Sequence, residues 1–399
     1  MHSNIKKLYA SNFLTGLVFW YAVEKLFMQS IGISPFGIAI NAVVFLSITV
    51  MLDVPSGVLA DKWKRKYTLI LAIISLGLSS FILGISNDFI TYLLGTAVYA
   101  LYIVLTSGTF QAMMYDSLAE TGQEDQYDKH QGRSYGLFLV GVAVSSLAGG
   151  YIAQYIGLRE TYLFSLVPAV INILVLFSTK EPRFHKEAFD TKFWAHIKAS
   201  RRIITSQPVV FHLALFLAVG GMLRSTQNEF GGLYYLGLSL SAVAMGYVNA
   251  GKWIAGAIGQ FLAPYIGRQG ALTLLPWFFL TFLIFSLITN ASGIIFFLLA
   301  SALHSIVSNQ AEATAQGLIP SGLRATTLSL ISFTTNIVMI PFSLLFGFVA
   351  QHADVFRAYQ IFGYVGIVYL VVWFIRGKKT ASSAIDTIKH THLQTNYLK

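Results

Sequence analysis

The chain contains no cysteine, which excludes disulfides, thiolate metal sites and cysteine nucleophiles. It is poor in charge: 11% of its residues are Asp, Glu, Lys or Arg, against about 25% in an ordinary globular domain. No phosphate-cradling G-x-x-x-x-G-K-[ST] stretch and no H-E-x-x-H pair occurs, and the 9 histidines are scattered. ATP-driven work by this chain alone is therefore not expected, nor is an enzyme or a bound cofactor. What is abundant is apolar. The 399 residues are 55% hydrophobic, with 31 Phe and 20 Tyr, and the mean hydropathy is +0.65. So little polar surface does not keep a chain of this length dispersed in water, and the same composition excludes disorder. The apolar excess must face lipid.

Apolar stretches of about 20 residues, enough to cross about 30 Å of hydrocarbon as a helix, recur with short polar breaks. They predict twelve spans near 8–29, 36–60, 67–86, 89–114, 134–157, 160–179, 208–236, 240–266, 270–290, 292–316, 326–351 and 356–376. The first follows a short basic stretch, but it is too long for a signal-peptide core and is expected to be retained. An even number of spans puts both termini on one side. Twenty-two of the Lys and Arg residues fall at the termini and in the even-numbered loops, whereas the other side carries only Arg159 and Arg357. By the positive-inside rule that side is the cytoplasm of a cell membrane. The charge is spread over loops and not gathered in a patch, so the net +10 does not imply nucleic acid.

The expected organisation is an N-terminal lobe over 1–179, a cytoplasmic linker over 180–207, a C-terminal lobe over 208–376 and a polar tail over 377–399. In the linker Phe189, Phe193, Ile197 and Ile204 fall near one helical face, with Lys192, Lys198, Arg201 and Arg202 mostly elsewhere. That pattern predicts a basic amphipathic helix on the inner leaflet, a tether between the lobes in either case. Arg65 and Arg268, in the turns after spans 2 and 8, are 203 residues apart, and Arg133 and Arg324 before spans 5 and 11 are 191 apart. Matching turns half a chain apart imply a parallel duplication of six spans.

The turn Gly57-Val58-Leu59-Ala60-Asp61-Lys62-Trp63-Lys64-Arg65-Lys66 resembles the signature loop of the major facilitator superfamily, G-x-L-A-D-R-x-G-R-K, with Lys62 for Arg and Lys64 for Gly. Asp53-Val54-Pro55-Ser56-Gly57 and Tyr115-Asp116-Ser117-Leu118 are similar to a subgroup of that family. Gly141 to Gly150 is similar in spacing to its antiporter pattern, with Ser145-Ser146 where the family has Gly-Pro. The resemblance implies an all-α membrane fold of two six-helix pseudo-repeats, and transport by rocking one lobe against the other. It also implies a conformational latch of Gly57, Asp61, Arg65, Lys66 and Asp116. Asp61 would reach the start of span 11 near Ala325 and Thr326, and Arg65 and Lys66 would reach Asp116, Asp125 or Asp128. Spans 1, 4, 7 and 10 would line the cavity.

Ionisable residues inside a span are costly and usually functional. Span 1 carries Glu24 and Lys25, span 7 carries Arg224, Gln227, Asn228 and Glu229, span 8 carries Lys252, and span 10 carries Glu312. The 203-residue offset aligns Glu24 with Gln227 and Tyr21 with Arg224. The candidate substrate and proton cavity therefore comprises Tyr21, Glu24, Arg224, Gln227, Asn228, Lys252 and Glu312. The polar run Arg224 to Glu229 predicts that span 7 is broken beside water. Lys25 is expected to snorkel outward, Lys252 to pair with Glu24 or Glu312, and Glu312, partly desolvated, to suit a proton carrier. His304 and His212 read as packing residues. Trp20, Tyr21, Tyr99 and Tyr102 would suit partly apolar ligands.

The function expected is proton-coupled efflux of small, partly apolar molecules, with H+ and one small substrate as partners and a monomer in the bilayer. One alternative is import of an anionic or zwitterionic metabolite anchored on Arg224 and Lys252. The other is a scaffold or sensor that keeps the fold without transport.

Overall fold

The computed structural model describes residues 3–62, 64–182, 193–319 and 323–377, with side chains described except at 3, 53–62, 193–197, 324–326, 328–329 and 377. The tail from 378 and linker residues 183–192, including Phe189 and Lys192, lie outside the described residues. The helices in chain order are α1 (Ser3–Gly16), α2 (Glu24–Ser30), α3 (Pro35–Lys62), α4 (Arg65–Ile85), α5 (Phe89–Thr106), α6 (Thr109–Ala119), α7 (Tyr127–Tyr155) and α8 (Leu158–Phe164). They continue as α9 (Leu166–Phe177), α10 (Phe193–Ser206), α11 (Pro208–Gly237), α12 (Ala242–Leu287), α13 (Gly293–Leu318), α14 (Arg324–His352) and α15 (Val355–Val372). Among the described residues there is no β-strand.

Ten helical stretches are long and apolar enough to cross a membrane. One of them, α12, is 46 residues long and turns at Gly267 (φ 68°, ψ 178°), a left-handed φ that glycine adopts without strain, so it holds two spans. The interrupted pair α1 and α2 supplies a further one. Twelve spans result, as the hydropathy pattern predicts.

The side-chain distribution is that of a protein dissolved in lipid. Leu78, Leu94, Val144, Val167, Val170 and Leu174 are exposed, while Ser79, Ser80, Ser145, Ser146 and Thr161 are buried. Small and polar residues inside allow close helix approach and interhelical hydrogen bonds, and the outer apolar residues have only acyl chains to contact.

The chain forms two compact units, Met1–Ala188 with Gly232–Ile254 and Phe189–Gly231 with Ala255–Lys399. The expected lobes, 1–179 and 208–376, differ from these units in the place of residues 232–254. In the first unit Gly246 lies against the Ser146 carbonyl, and Gly150 against that of Ala242.

Span 7 is not broken. α11 runs through Arg224 to Glu229 as one helix of 30 residues, and the donors of Arg224 and Gln227 reach Ser301 and the Phe297 carbonyl without the backbone opening. The interruption lies in span 1, where residues 17–23 between α1 and α2 are non-helical. Neighbouring hydroxyls satisfy the freed backbone there. Ser165 Oγ accepts from the Phe19 N–H at 3.0 Å and Ser145 Oγ donates to the Gly16 carbonyl at 2.9 Å, while Ser80 Oγ accepts from the indole Nε1 of Trp20 at 3.2 Å and fixes that side chain. Backbone meets backbone at this point: a Cβ on Gly149 would collide with the Phe19 carbonyl, and one on Gly141 with the Phe13 carbonyl.

The second unit is held by interlocking aromatics that meet mostly edge-on. Phe278, Phe279, Phe282, Phe285, Phe297, Phe346 and Tyr359 are fully buried. Phe346 meets Tyr359 edge-on at 4.9 Å, and Phe285 meets Phe297 edge-on at 5.3 Å, the geometry that ring quadrupoles favour. Phe278 meets His304 edge-on at 5.3 Å.

Candidate functional site

The break in span 1 places Tyr21 and Glu24. Freed from the helix, Trp20 stacks on Tyr162 with centroids 5.1 Å apart and meets Tyr21 and Tyr99 edge-on at 4.7 and 5.6 Å. Tyr21 and Tyr99 share a hydrogen bond of 2.7 Å between hydroxyls, and Tyr99 adjoins Tyr102 and Phe45 at 5.5 and 5.7 Å. Trp20 and Tyr102 are buried, whereas Tyr21, Tyr99 and Phe45 are only half-buried. Glu24 opens α2. Its carboxylate accepts from Lys25 Nζ at 2.8 Å and from the Tyr92 hydroxyl at 3.3 Å.

Lys25 does not snorkel. It is 5% exposed and folds back onto Glu24. A Cβ on Gly232 would come within 2.6 Å of its Cγ, so that glycine makes room for the lysine stem. The 100° separation of successive helical residues does not keep the pair apart, because Glu24 is the first residue of its helix and precedes any full turn. The described ion pair of Glu24 is thus with its neighbour in the chain. Lys252 is also buried, with Nζ 5.1 Å from the Trp253 ring centroid, a cation–π distance. One turn earlier, Asn249 donates to Ser146 Oγ at 2.8 Å.

In the second unit Arg224 Nη1 donates to Ser301 Oγ at 2.8 Å, and that hydroxyl donates to the Phe297 carbonyl at 3.1 Å. Gln227 Nε2 donates to the same carbonyl at 3.3 Å, while its buried Oε1 has no hydrogen-bond partner among the described residues. Asn228 is exposed and Glu229 half-buried. Glu312 is exposed and lines a hollow of about 230 Å³ with Leu217, Gly221, Ile331, Ser332, Thr335 and Asn336. The last three residues escape the sequence reading. Their signal is a polar run within apolar span 11, and it carries no charge to draw notice.

At the signature turn the side chains of Gly57 and Asp61 lie outside the described residues, as do those of Ala325 and Thr326. Arg65 forms an ion pair with Asp116. Lys66 Nζ donates to the carbonyls of Phe177 and Thr179 at 2.7 and 2.9 Å, which satisfies the open C-terminal end of α9. Glu181, which the sequence reading missed, accepts from the backbone N–H groups of Arg65 and Lys66 at 2.8 and 2.9 Å. A carboxylate placed on the orphan donors of α4 both caps it and meets its dipole. Glu181→Ala is expected to lower stability by about 1–2 kcal/mol, read as a fall in the unfolding midpoint of the purified protein, with Glu181→Gln retaining part of it.

Together these features describe an all-helical protein that spans the membrane many times, with charged clusters held inside its helical units. The sequence model of the Major Facilitator Superfamily matches residues 8–343, and the chain belongs to that family of secondary transporters. Its fold is similar to that of solved transporters at low sequence identity. A nucleoside transporter NupG superposes with a TM-score of 0.73 at 14% identity, covering 94% of this chain and 99% of that one. A peptide transporter POT in complex with sulfate gives 0.73 at 13% identity, covering 95% of each chain. A D-xylose-proton symporter gives 0.70 at 14% identity, covering 93% of this chain and 98% of that one. No curated protein matches the chain in sequence.

Proposed function

We propose that the chain exports small, partly apolar molecules from the cytoplasm in exchange for protons, by alternating access, with both termini inside the cell. The observation that carries this reading is the constellation around Glu24. One carboxylate is held by Lys25 at 2.8 Å and by Tyr92 at 3.3 Å, and the half-buried rings of Tyr21, Tyr99 and Phe45 stand in the same unit. Open aromatic faces suit flat apolar ligands. A carboxylate that exchanges an ion pair for a proton gives two states of different charge, which a proton gradient biases. Glu312, in its polar hollow, is a second carboxylate for the same task. The pair of Arg65 with Asp116 fits a role in the latch, with Gly57, Asp61 and Lys66 completing it.

Reconstituted protein under an imposed pH gradient tests the reading. Aromatic, partly apolar probes are expected to move against the proton flow. Movement with the protons would make the chain an importer, and no gradient-dependent movement of any probe would leave the scaffold reading.

Import of an anionic or zwitterionic metabolite is favoured by one observation, the orientation of Arg224 by Ser301. Arg224→Ala separates the two readings. It is expected to leave efflux of apolar probes within about threefold of the parent, because an apolar ligand offers no anion for the half-buried Arg224 guanidinium to bond. Carboxylate uptake, if it is the activity, would fall by about a hundredfold on loss of a charge-assisted hydrogen bond.

A further inference from the structure

The second unit holds a second hollow whose chemistry is the opposite of that around Glu312. It has a volume of about 350 Å³ and is lined mostly by apolar residues of α11 and α14, among them Phe211, Ala214, Ala218 and Leu330, with Thr334 of α14 and Arg201, Ile204 and Thr205 of α10. Arg201 is the one charged residue among its described lining residues. Lys198 and Arg202 are exposed beside it on the same helix. A single residue, Gln207, separates α10 from α11, so this helix sits at the mouth of a membrane span, where headgroups lie. Phe211, one turn into α11, is 44% exposed.

We infer that this groove is a binding site for one anionic phospholipid, with an acyl chain against Ala214, Ala218 and Leu330 and the headgroup phosphate on Arg201. Two features on one axis define the occupant. The apolar walls open from a transmembrane helix pair, where the available apolar molecule is lipid. The positive charge stands only at the headgroup end, which complements an anionic phosphate diester and leaves the rest of the groove neutral. A soluble anion would use the arginine and waste the groove, and a zwitterionic lipid would bring its own cation next to Lys198, Arg201 and Arg202. Ile331 lines this groove and the Glu312 hollow alike, so an acyl chain here touches the wall of the polar hollow.

The test uses the purified full chain in detergent, by native mass spectrometry and thermal unfolding. The added probes are palmitoyl-oleoyl phosphatidylglycerol, phosphatidylcholine with the same chains, and inorganic phosphate. Phosphatidylglycerol is expected to be retained as one molecule per chain and to raise the unfolding midpoint, and the other two are not. Arg201→Ala should weaken retention by about fivefold, the share of one basic residue near an anionic headgroup. Ala218→Phe, which fills the groove, should abolish it while leaving the lipid-free midpoint unchanged. If Ala218→Phe lowers that midpoint, Ala214→Leu replaces it as the filling variant. Equal retention of both lipids, stabilisation by phosphate alone, unchanged retention in the variants, or a lipid-independent dimer would each overturn the assignment.

Discussion

Gly149→Ala is expected to lower the unfolding free energy by about 3 kcal/mol, while Gly136→Ala on the same helix is expected to raise it by about 0.5–1 kcal/mol. Both glycines belong to α7 and receive the same one-carbon addition. At Gly136 a Cβ meets nothing within 4 Å, so only the helix-favouring effect of alanine remains. At Gly149 the new carbon falls on the carbonyl of Phe19. That obstacle is backbone and cannot rotate aside as a side chain would. Relief requires moving the 17–23 segment and giving up the bond from the Phe19 N–H to Ser165 Oγ. Thermal unfolding of the two variants in one detergent checks the contrast. Equal midpoints would show that α7 does not press on the interruption of span 1.

Glu24→Gln is expected to abolish the dependence of flux on an imposed pH gradient and to cost about 3 kcal/mol of stability, because it leaves the Lys25 ammonium buried without its counter-charge. The two effects separate in a double variant. Glu24→Gln with Lys25→Met removes both charges, so no ammonium is left buried without a counter-charge, and the carbonyl of the new amide can still accept from the Tyr92 hydroxyl. Stability is then expected to return while gradient dependence stays lost. Proteoliposome flux with and without a pH step, alongside unfolding midpoints, reads both quantities. Full gradient dependence in the single variant would remove Glu24 from the coupling and leave Glu312 to carry it.

The spans and the signature turn were legible because each rests on a property local in sequence, apolar run length or a short charged motif. The state of each span was not. The run from Arg224 to Glu229 reads as a place where a helix must open, yet Ser301 and the Phe297 carbonyl accept its donors and α11 stays continuous. Conversely, Leu17 to Val23 is an apolar stretch that suggests an unbroken helix, and what interrupts it comes from Ser145 and Ser165, more than 120 residues away. Glu181 was invisible for the same reason: its importance lies in facing the start of α4, a fact of tertiary placement. Ser332 and Asn336 carry no charge, and a search for intramembrane ionisable groups passes over them.

The serine-capped interruption has a consequence for biogenesis. The hydroxyl that receives the Phe19 amide arrives 146 residues later in the chain. A bare amide in hydrocarbon is costly by several kcal/mol. Until that hydroxyl exists, the opening segment can keep the Phe19 amide paired in acyl chains only as a continuous helix. The interruption therefore opens only after the sixth hydrophobic segment has been synthesised, so a nascent chain stalled before Ser165 is expected to hold its first segment as an unbroken helix.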